Sequence, residues 1–412
     1  MNNNRGSLRA GAAKIDITPQ DLTGLTNLWR TPFHGVHDQI YVRALVVDNG
    51  LNCAAIVSAD LVEFGDTSEV REQIEQETGI PLAHIIITAS HDHNAPRVGG
   101  VTAGATAQKG GPATEKYTSF VYGCIVEAVR QAKAALQPAR IGTGKGTADV
   151  NTNRDIFTET GWRMGVNLDG PSEKTVWVVK LETASGEPIA ILMNYAVHSV
   201  VLGANNTLVT GDLAGAAERY VEHYYADQVV ALWTMGPAGD QNPKFTSHYE
   251  DPPQPSDRIP GYPLMETFGQ LLGEEVVRVA GKIGRMRSEV QILADERMVA
   301  CPARIPPRDA NRPGMEVKPV DSLNLRLGLL LIDQIALAWV SGEVVTQIYK
   351  HLLKESPFSN TILITIANDR IGYIVDDAGY DTPTFASTAS PLQRGYAEPA
   401  IINELLEMMN NY

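Results

Sequence analysis

Residues 85–96 read IIITASHDHNAP: three isoleucines, a small polar turn, then two histidines flanking an aspartate. The chain holds nine histidines in 412 residues, so two of them one residue apart at a strand end ask for a reason. In an extended segment positions i and i+2 face the same way, and His91 and His93 are expected to share one pocket. The isoleucine run is expected to be a buried strand that serves as a rigid platform for them.

Working outward, the same arrangement recurs three times in pattern, though not in letters. The first copy is the strand IYVRALVVD, an Asn-Gly turn, and the strand LNCAAIVSAD ending at Asp60; the amphipathic segment SEVREQIEQETG and the strand leading to His91 follow. The second is TVWVVKLET, a turn at ASGEP, IAILMNYAVH ending at His198, the helix DLAGAAERYVEHYYA, and VVALWTMGPAGD ending at Asp240. The third is LNLRLGLLLID running into QIALAWVSGE, which ends at Glu343, then VVTQIYKHLLKES and TILITIAND, which leads to Asn368. β-Branched runs separated by Gly or Asn turns predict hairpins, and i, i+3, i+4 apolar spacing predicts the helices. The strands are nearly continuously apolar, so both faces of each sheet should be covered. The expected fold class is α/β, layered β-sheets sandwiched between α-helices. At this length two or three domains, or one large α/β unit, are expected.

Composition narrows the function. Formal net charge is −14, with 43% apolar and 20% charged residues, and no Lys/Arg run offers a phosphate-neutralising face. Nucleic acid is therefore not an expected partner. Cys53, Cys124 and Cys301 are isolated, which argues against a disulfide framework or a thiolate metal site. The N-terminal segment lacks a signal-peptide core, and no window reaches the 18 apolar residues of a membrane span. The expectation is a soluble, cytoplasmic protein without integral membrane association. Residues 94–115 (Gly/Ala/Thr-rich) and 241–262 (Pro-rich) read as irregular loops forming rims or lids of a pocket.

The histidines separate by context. His198 ends a very apolar run, where an unpaired imidazole is costly to bury; a satisfied core histidine is the plainer alternative. Glu343 also ends a buried run, and buried Glu is rare unless paired or metal-bound. Two or three His with one Glu make a borderline-hard N/O set that suits zinc better than calcium or magnesium. His34 and His37 sit in an N-terminal loop where a substrate contact is open. His84, His223 and His351 read as surface residues, and His248 lies in the Pro-rich loop. No G-x-S-x-G, H-E-x-x-H or G-x-x-x-x-G-K-[ST] is present.

With His91, His93, His198 and Glu343 in that order, the sequence resembles the neutral (non-lysosomal) ceramidase family of zinc amidases. The resemblance runs through AGAAKIDITP, HDQIYVRALVV, ASHDHNAP, NTNRD, NYAVH, GDLAG, SGE and NDRIGYIVDDAGY, and treats residues 1–412 as one catalytic domain of sheets between helices. It implies one zinc per chain, held by His91, His198, Glu343 and Tyr380, with His93 beside the zinc-bound water as proton carrier. It also implies that Arg154 reaches the bound substrate. Separately, Tyr380 or another donor is a candidate for the developing oxyanion, and His37 for contacting substrate or supporting the site from its loop. Asp60, Asp212 and Asp240 are acceptors suited to fixing imidazole tautomers, with helix capping the alternative for Asp212.

Two departures shape the expected substrate. The family's G-D-V-S-P-N is GDQNP here, so Asn242 replaces a serine and activated water is favoured over a serine nucleophile. HTHSG has become HDHNA, which adds Asp92. The family's secretory leader and C-terminal β-sandwich are not seen in the sequence, so the expectation is a short form cleaving a smaller or more polar amide than ceramide. A metal-dependent esterase or phosphoesterase, usually needing two metals, and a binding protein with a structural zinc stay open. A homo-oligomer is equally compatible.

Overall fold

In the computed structural model, which describes residues 5–99, 111–247, 261–307 and 320–412, the three-fold pattern folds as the periodicities require. The elements that matter are, in chain order, β1 (Arg9–Asp16), β2 (Tyr41–Asp48), β3 (Cys53–Ala59), α1 (Ser68–Thr78), β4 (Ile85–Ala89), α2 (Pro112–Ala134), β5 (Gln137–Thr147), β6 (Asn151–Thr158), β7 (Gly161–Asn167), β8 (Thr175–Thr183), β9 (Pro188–Tyr195), α3 (Asp212–Tyr224), β10 (Val230–Met235), β11 (Gln241–Pro243), α4 (Gly261–Lys282), β12 (Ile292–Pro302), β13 (Ser322–Ile332), β14 (Ile335–Val340), β15 (Glu343–Val344), α5 (Thr346–Glu355), β16 (Asn360–Ile364), β17 (Tyr373–Ile374), α6 (Phe385–Ala389) and α7 (Ala397–Asn410).

Each repeat is an antiparallel hairpin, a crossover helix, and a strand parallel to the hairpin's second arm: β2–β3 with β4, β8–β9 with β10, and β13–β14 with β16. The turns use the residues their geometry demands. Gly50 takes φ +80 and Gly186 φ +94, while Asp333 takes φ +55 in the tight third hairpin. The first crossover helix, α1, ends on Gly79 at φ +71, whose N–H reaches the Glu75 carbonyl at 2.7 Å.

The first two repeats form an eight-stranded sheet, order β10-β9-β8-β5-β1-β2-β3-β4, and the third a four-stranded sheet, order β12-β13-β14-β16. The sheets pack face to face through one core that includes Leu45, Ile56, Ile86, Trp177, Leu330 and Trp339. Helices α1 to α4 cover the outer face of the larger sheet and α5 to α7 that of the smaller. The α/β sandwich of sheets between helices is therefore the observed fold. No described helix is long and apolar enough to cross a membrane.

Curling of the larger sheet creates the site. Its edge strand β10 lies against β3 and β4 at the other edge, and the Ser58 hydroxyl donates to the Trp233 carbonyl across that seam. The segment leaving β16 closes it: Thr365 N–H donates to the Met235 carbonyl at 2.9 Å, and Asn368 is bonded to Ile85 and Ile87 of β4 at 2.8–2.9 Å. The C-terminal ends of β4, β9, β14 and β16, one or more from each repeat, thus converge.

The two loop expectations need correction at their ends. Residues 112–115 are the first turn of α2, where Pro112 is tolerated because its missing N–H would have had no helical partner. Residues 241–243 are strand β11, paired with Asn151–Asn153 of β6. Residues 100–110 and 248–260, His248 among them, lie outside the described residues.

Candidate metal centre

His91, His93 and His198 meet in one cluster, with a ligand-capable atom from each lying within 4.8 Å of the others. The reason His91 and His93 share a site is not strand alternation, however. β4 ends at Ala89, and His91 takes φ +60, a left-handed conformation uncommon for a non-glycine residue and concentrated at functional sites. The turn is held by Asp92 N–H to the Leu61 carbonyl at 3.0 Å and His93 N–H to the Ser199 carbonyl at 3.2 Å, which ties it to the residue after His198.

Backbone carbonyls fix two of the imidazoles. His91 Nδ1 donates to the Val62 carbonyl at 2.7 Å and His198 Nδ1 to the Gln241 carbonyl at 3.0 Å. Placing the proton on Nδ1 leaves each Nε2 lone pair facing the cluster, the tautomer that metal ligation needs. His93 has no such acceptor: its Nδ1 is without a partner, and its Nε2 stands 3.2 Å from His91 Nε2. Desolvation, together with His91 and His198, holds the His93 imidazole well below the ordinary histidine range. Burial, then the Arg154 guanidinium, brings His198 down to about 3.

Glu343 completes the set. It is fully buried, and its Oε2 stands 3.4 Å from both His91 Nε2 and His198 Nε2 while making no hydrogen bond. Burial would push this carboxyl up, but in the metal-free protein His91 and His198, acting as proton donors, and then the Arg370 guanidinium hold it well below the usual carboxylate range; a bound cation would take the place of those protons. A buried anionic oxygen aimed between two imidazole lone pairs is costly in isolation. Two imidazole nitrogens and a carboxylate oxygen so placed fit a divalent, borderline metal such as zinc.

Strand pairing brings a different tyrosine beside the cluster. β15 pairs in parallel with β17, which sets Tyr373, not Tyr380, against Glu343. The buried Tyr373 phenol is pushed up by desolvation and then by Glu343, and the Arg154 guanidinium lies 5.3 Å from its ring centre. Tyr380 is engaged elsewhere: its hydroxyl meets Ser390 Oγ and the Leu392 carbonyl at 3.1 Å, and Arg304 covers its ring.

Arg154 does reach the cluster. Its Nη1 is 3.4 Å from His198 Nε2 and 3.3 Å from Asn242 Oδ1, and Nη2 donates to the Gly239 carbonyl at 2.8 Å. Asn242 thus occupies the serine position as an acceptor for this arginine. His37 stands apart, stacked on Tyr262 with ring centres 4.0 Å apart and bonded to Asp38 at 2.6 Å.

None of the three aspartates touches an imidazole. Asp60 turns back to Arg43 at 2.8 Å, in a buried network with Glu218 and Glu222; an arginine inside an apolar strand needs such partners, and it captures Asp60. Asp212 accepts N–H groups from Val201, Leu202, Leu213 and Asn94 at 2.6–3.1 Å, so it braces the loop after His198 and the residue after His93. Its bond to Leu213 N–H also serves the first turn of α3. Asp240 accepts from Thr346 N–H, Thr346 Oγ1 and Asn153 Nδ2 at 2.7–3.1 Å, joining the start of α5 to the strand that carries Arg154. Asp92 is also a brace, with Oδ1 accepting Asn94 N–H at 2.8 Å.

Arg370 and Glu63 were not foreseen. Arg370 pairs with Glu343 Oε1 at 3.0 Å and with Glu63 Oε2 at 2.6 Å. The only sequence signal was a cation inside the NDRIGY segment, two residues after Asn368.

Three histidines that could hold a metal ion, with a buried carboxylate beside them, thus meet at converging strand ends of an α/β chain of sheets between helices. The model of the neutral/alkaline non-lysosomal ceramidase N-terminal region matches residues 9–255, and the chain belongs to this family. Neutral ceramidase A of Dictyostelium discoideum is 26% identical over 220 residues, 49% of this chain and 29% of that protein. Neutral ceramidase of Pseudomonas aeruginosa is 24% identical over 252 residues, 58% of this chain and 37% of that one. The match thus spans about a third of each curated relative. Among solved structures, a ceramidase complexed with C2 superposes with a TM-score of 0.80 at 17% identity, covering 98% of this chain and 75% of that one. The neutral ceramidase crystal structure from Pseudomonas aeruginosa gives 0.78 at 18%, covering 98% and 74%.

Proposed function

We propose that this chain is a zinc-dependent hydrolase of carboxamide (N-acyl) bonds, with His91, His198, Glu343 and Tyr373 holding one zinc ion per chain. The observation that carries the reading is the pair of carbonyl-fixed imidazoles whose Nε2 atoms flank an otherwise unbonded, ionised Glu343 oxygen. Zinc in such a set supplies Lewis acidity and a water that ionises near neutral pH. His93, neutral and with Nδ1 free of protein partners, accepts a proton on the attack step and returns it to the leaving amine. Arg154, buried and already committed to a carbonyl and an amide oxygen, directs Nη1 to the reacting side of His198 and orients the acyl oxygen. Exclusion of bulk water around these groups strengthens each of these interactions.

We place residues 1–412 in one catalytic domain, supported by the core shared between its two sheets. Among the described residues one His/Cys/Asp/Glu cluster is built to take a metal, which supports a one-metal amidase over a two-metal phosphoesterase. The substrate we favour is smaller or more polar than ceramide, because Asn153, Asn242, Arg154 and Asp240 give the cluster polar surroundings. His37, linked through Tyr262 and Asn206 to Asn94, belongs to the rim that meets this substrate. The test is a hydrolysis screen of zinc-loaded protein against short N-acyl amides, ceramides, lactams and esters. Cleavage of polar amides with ceramide untouched supports the reading, and cleavage of esters alone contradicts it.

A further inference from the structure

Arg370 holds a place that the ligand set alone does not explain. Asn368, at φ +61, is fastened to β4 through Ile85 and Ile87. Gly372, at φ +98, presents its carbonyl to Glu343 N–H at 2.9 Å. Between these anchors the guanidinium of Arg370 lies sandwiched by two carboxylates, 2.6 Å from Glu63 Oε2 and 3.0 Å from Glu343 Oε1. Glu63 directly follows Val62, whose carbonyl fixes the His91 tautomer. One ion pair therefore borders the supports of two of the residues assigned to the metal.

We propose that Arg370, steadied by Glu63, is a positioning residue that commits Glu343 to present a single oxygen, Oε2, to the metal; this rests on the zinc reading above. With Oε1 bound to Arg370, a carboxylate that otherwise binds through either or both oxygens has one direction left. Arg370 is 26% exposed and lines a cleft of about 850 Å3 together with Asp66, Tyr122, Arg326 and Asp369. A small guanidinium entering from solvent has a route to the position the side chain vacates when it is truncated.

The test uses full-length wild type, Arg370→Ala, Arg370→Lys and Glu63→Gln, read by chelator-competition zinc affinity and by the visible absorption spectrum of the cobalt-substituted proteins. Arg370→Ala should weaken zinc binding about 10- to 100-fold, the usual effect of losing a partner behind a ligand. It should also change the cobalt spectrum, with methylguanidinium restoring both in part. Arg370→Lys, which keeps the charge but loses the planar fork that spans the two carboxylates, should fall between. Glu63→Gln should shift the spectrum in the same sense by less, and it decides the matter should the alanine variant fail to fold. Wild-type affinity and an unchanged cobalt spectrum in these variants would overturn the role of Arg370 while leaving the zinc reading intact. A wild-type protein that binds no zinc would overturn both.

Discussion

Asp212→Asn isolates what a buried brace contributes to the site. Asp212 sits at φ +45, a conformation asparagine tolerates, so the substitution changes hydrogen bonding and little else. Oδ1 accepts Val201 N–H and Leu213 N–H, while Oδ2 accepts Leu202 N–H and Asn94 Nδ2. An asparagine keeps one acceptor and turns the other into a donor, leaving two buried donors facing an NH2 group. At about 1–3 kcal/mol for each of the two unsatisfied buried groups, the expected loss is roughly 2–6 kcal/mol. Burial already pushes the Asp212 carboxyl up to about 6, and relief of that desolvation favours the lower half of the range. Urea unfolding of metal-free wild type and variant at pH 8 measures it. Because the released segments carry His198 and flank His93, zinc affinity should fall as well. A stability change under about 1 kcal/mol with unaltered zinc affinity would refute the reasoning.

The remaining predictions concern the cluster itself. Tyr373→Phe should weaken zinc binding and slow turnover, whereas Tyr380→Phe should leave zinc affinity at the wild-type value; a chelator titration of both variants separates them. His93→Ala should keep zinc but slow turnover by about 10²-fold or more in steady-state assays. The metal-free protein should lose stability as pH falls below the unfolded histidine value of about 6.5. His198 stays neutral in the fold until about pH 3, so the unfolded chain binds the proton the fold refuses. That difference grows to a ceiling of roughly 5 kcal/mol at the lower limit. Urea midpoints across pH 4 to 8 should show this limb, and His198→Asn should make it shallower, leaving the share of His93, which burial also keeps neutral.

What was legible in the sequence was whatever repeats. Continuous β-branched apolar runs and period-3.6 patterns, with Asn49–Gly50 and Asp333 at the turns, carried the three hairpin–helix–strand units and hence the layers. His91, His198 and Glu343 were recoverable because each ends an apolar run where a polar side chain needs a purpose. The rest depends on contacts without a local period. Tyr373 and Tyr380 both follow a Gly in one short segment (directly, in each case), and a two-residue parallel pairing places Tyr373 beside Glu343. Asp60 looked equivalent to His198 and Glu343, but Arg43 inside β2 was the overlooked signal that its carboxylate was already committed. Imidazole tautomers are set by the Val62 and Gln241 carbonyls, and a backbone acceptor leaves no trace in residue type. His91 reaches the site through a left-handed turn, which strand alternation does not anticipate.

Whether a metal lies between His91, His198 and Glu343 is tested most directly by elemental analysis of the purified protein against His198→Ala. The arrangement predicts about one zinc per chain in the wild type, and its loss together with amidase activity in the variant. Full zinc occupancy in His198→Ala, or amidase activity in wild type stripped of all metal, would contradict it.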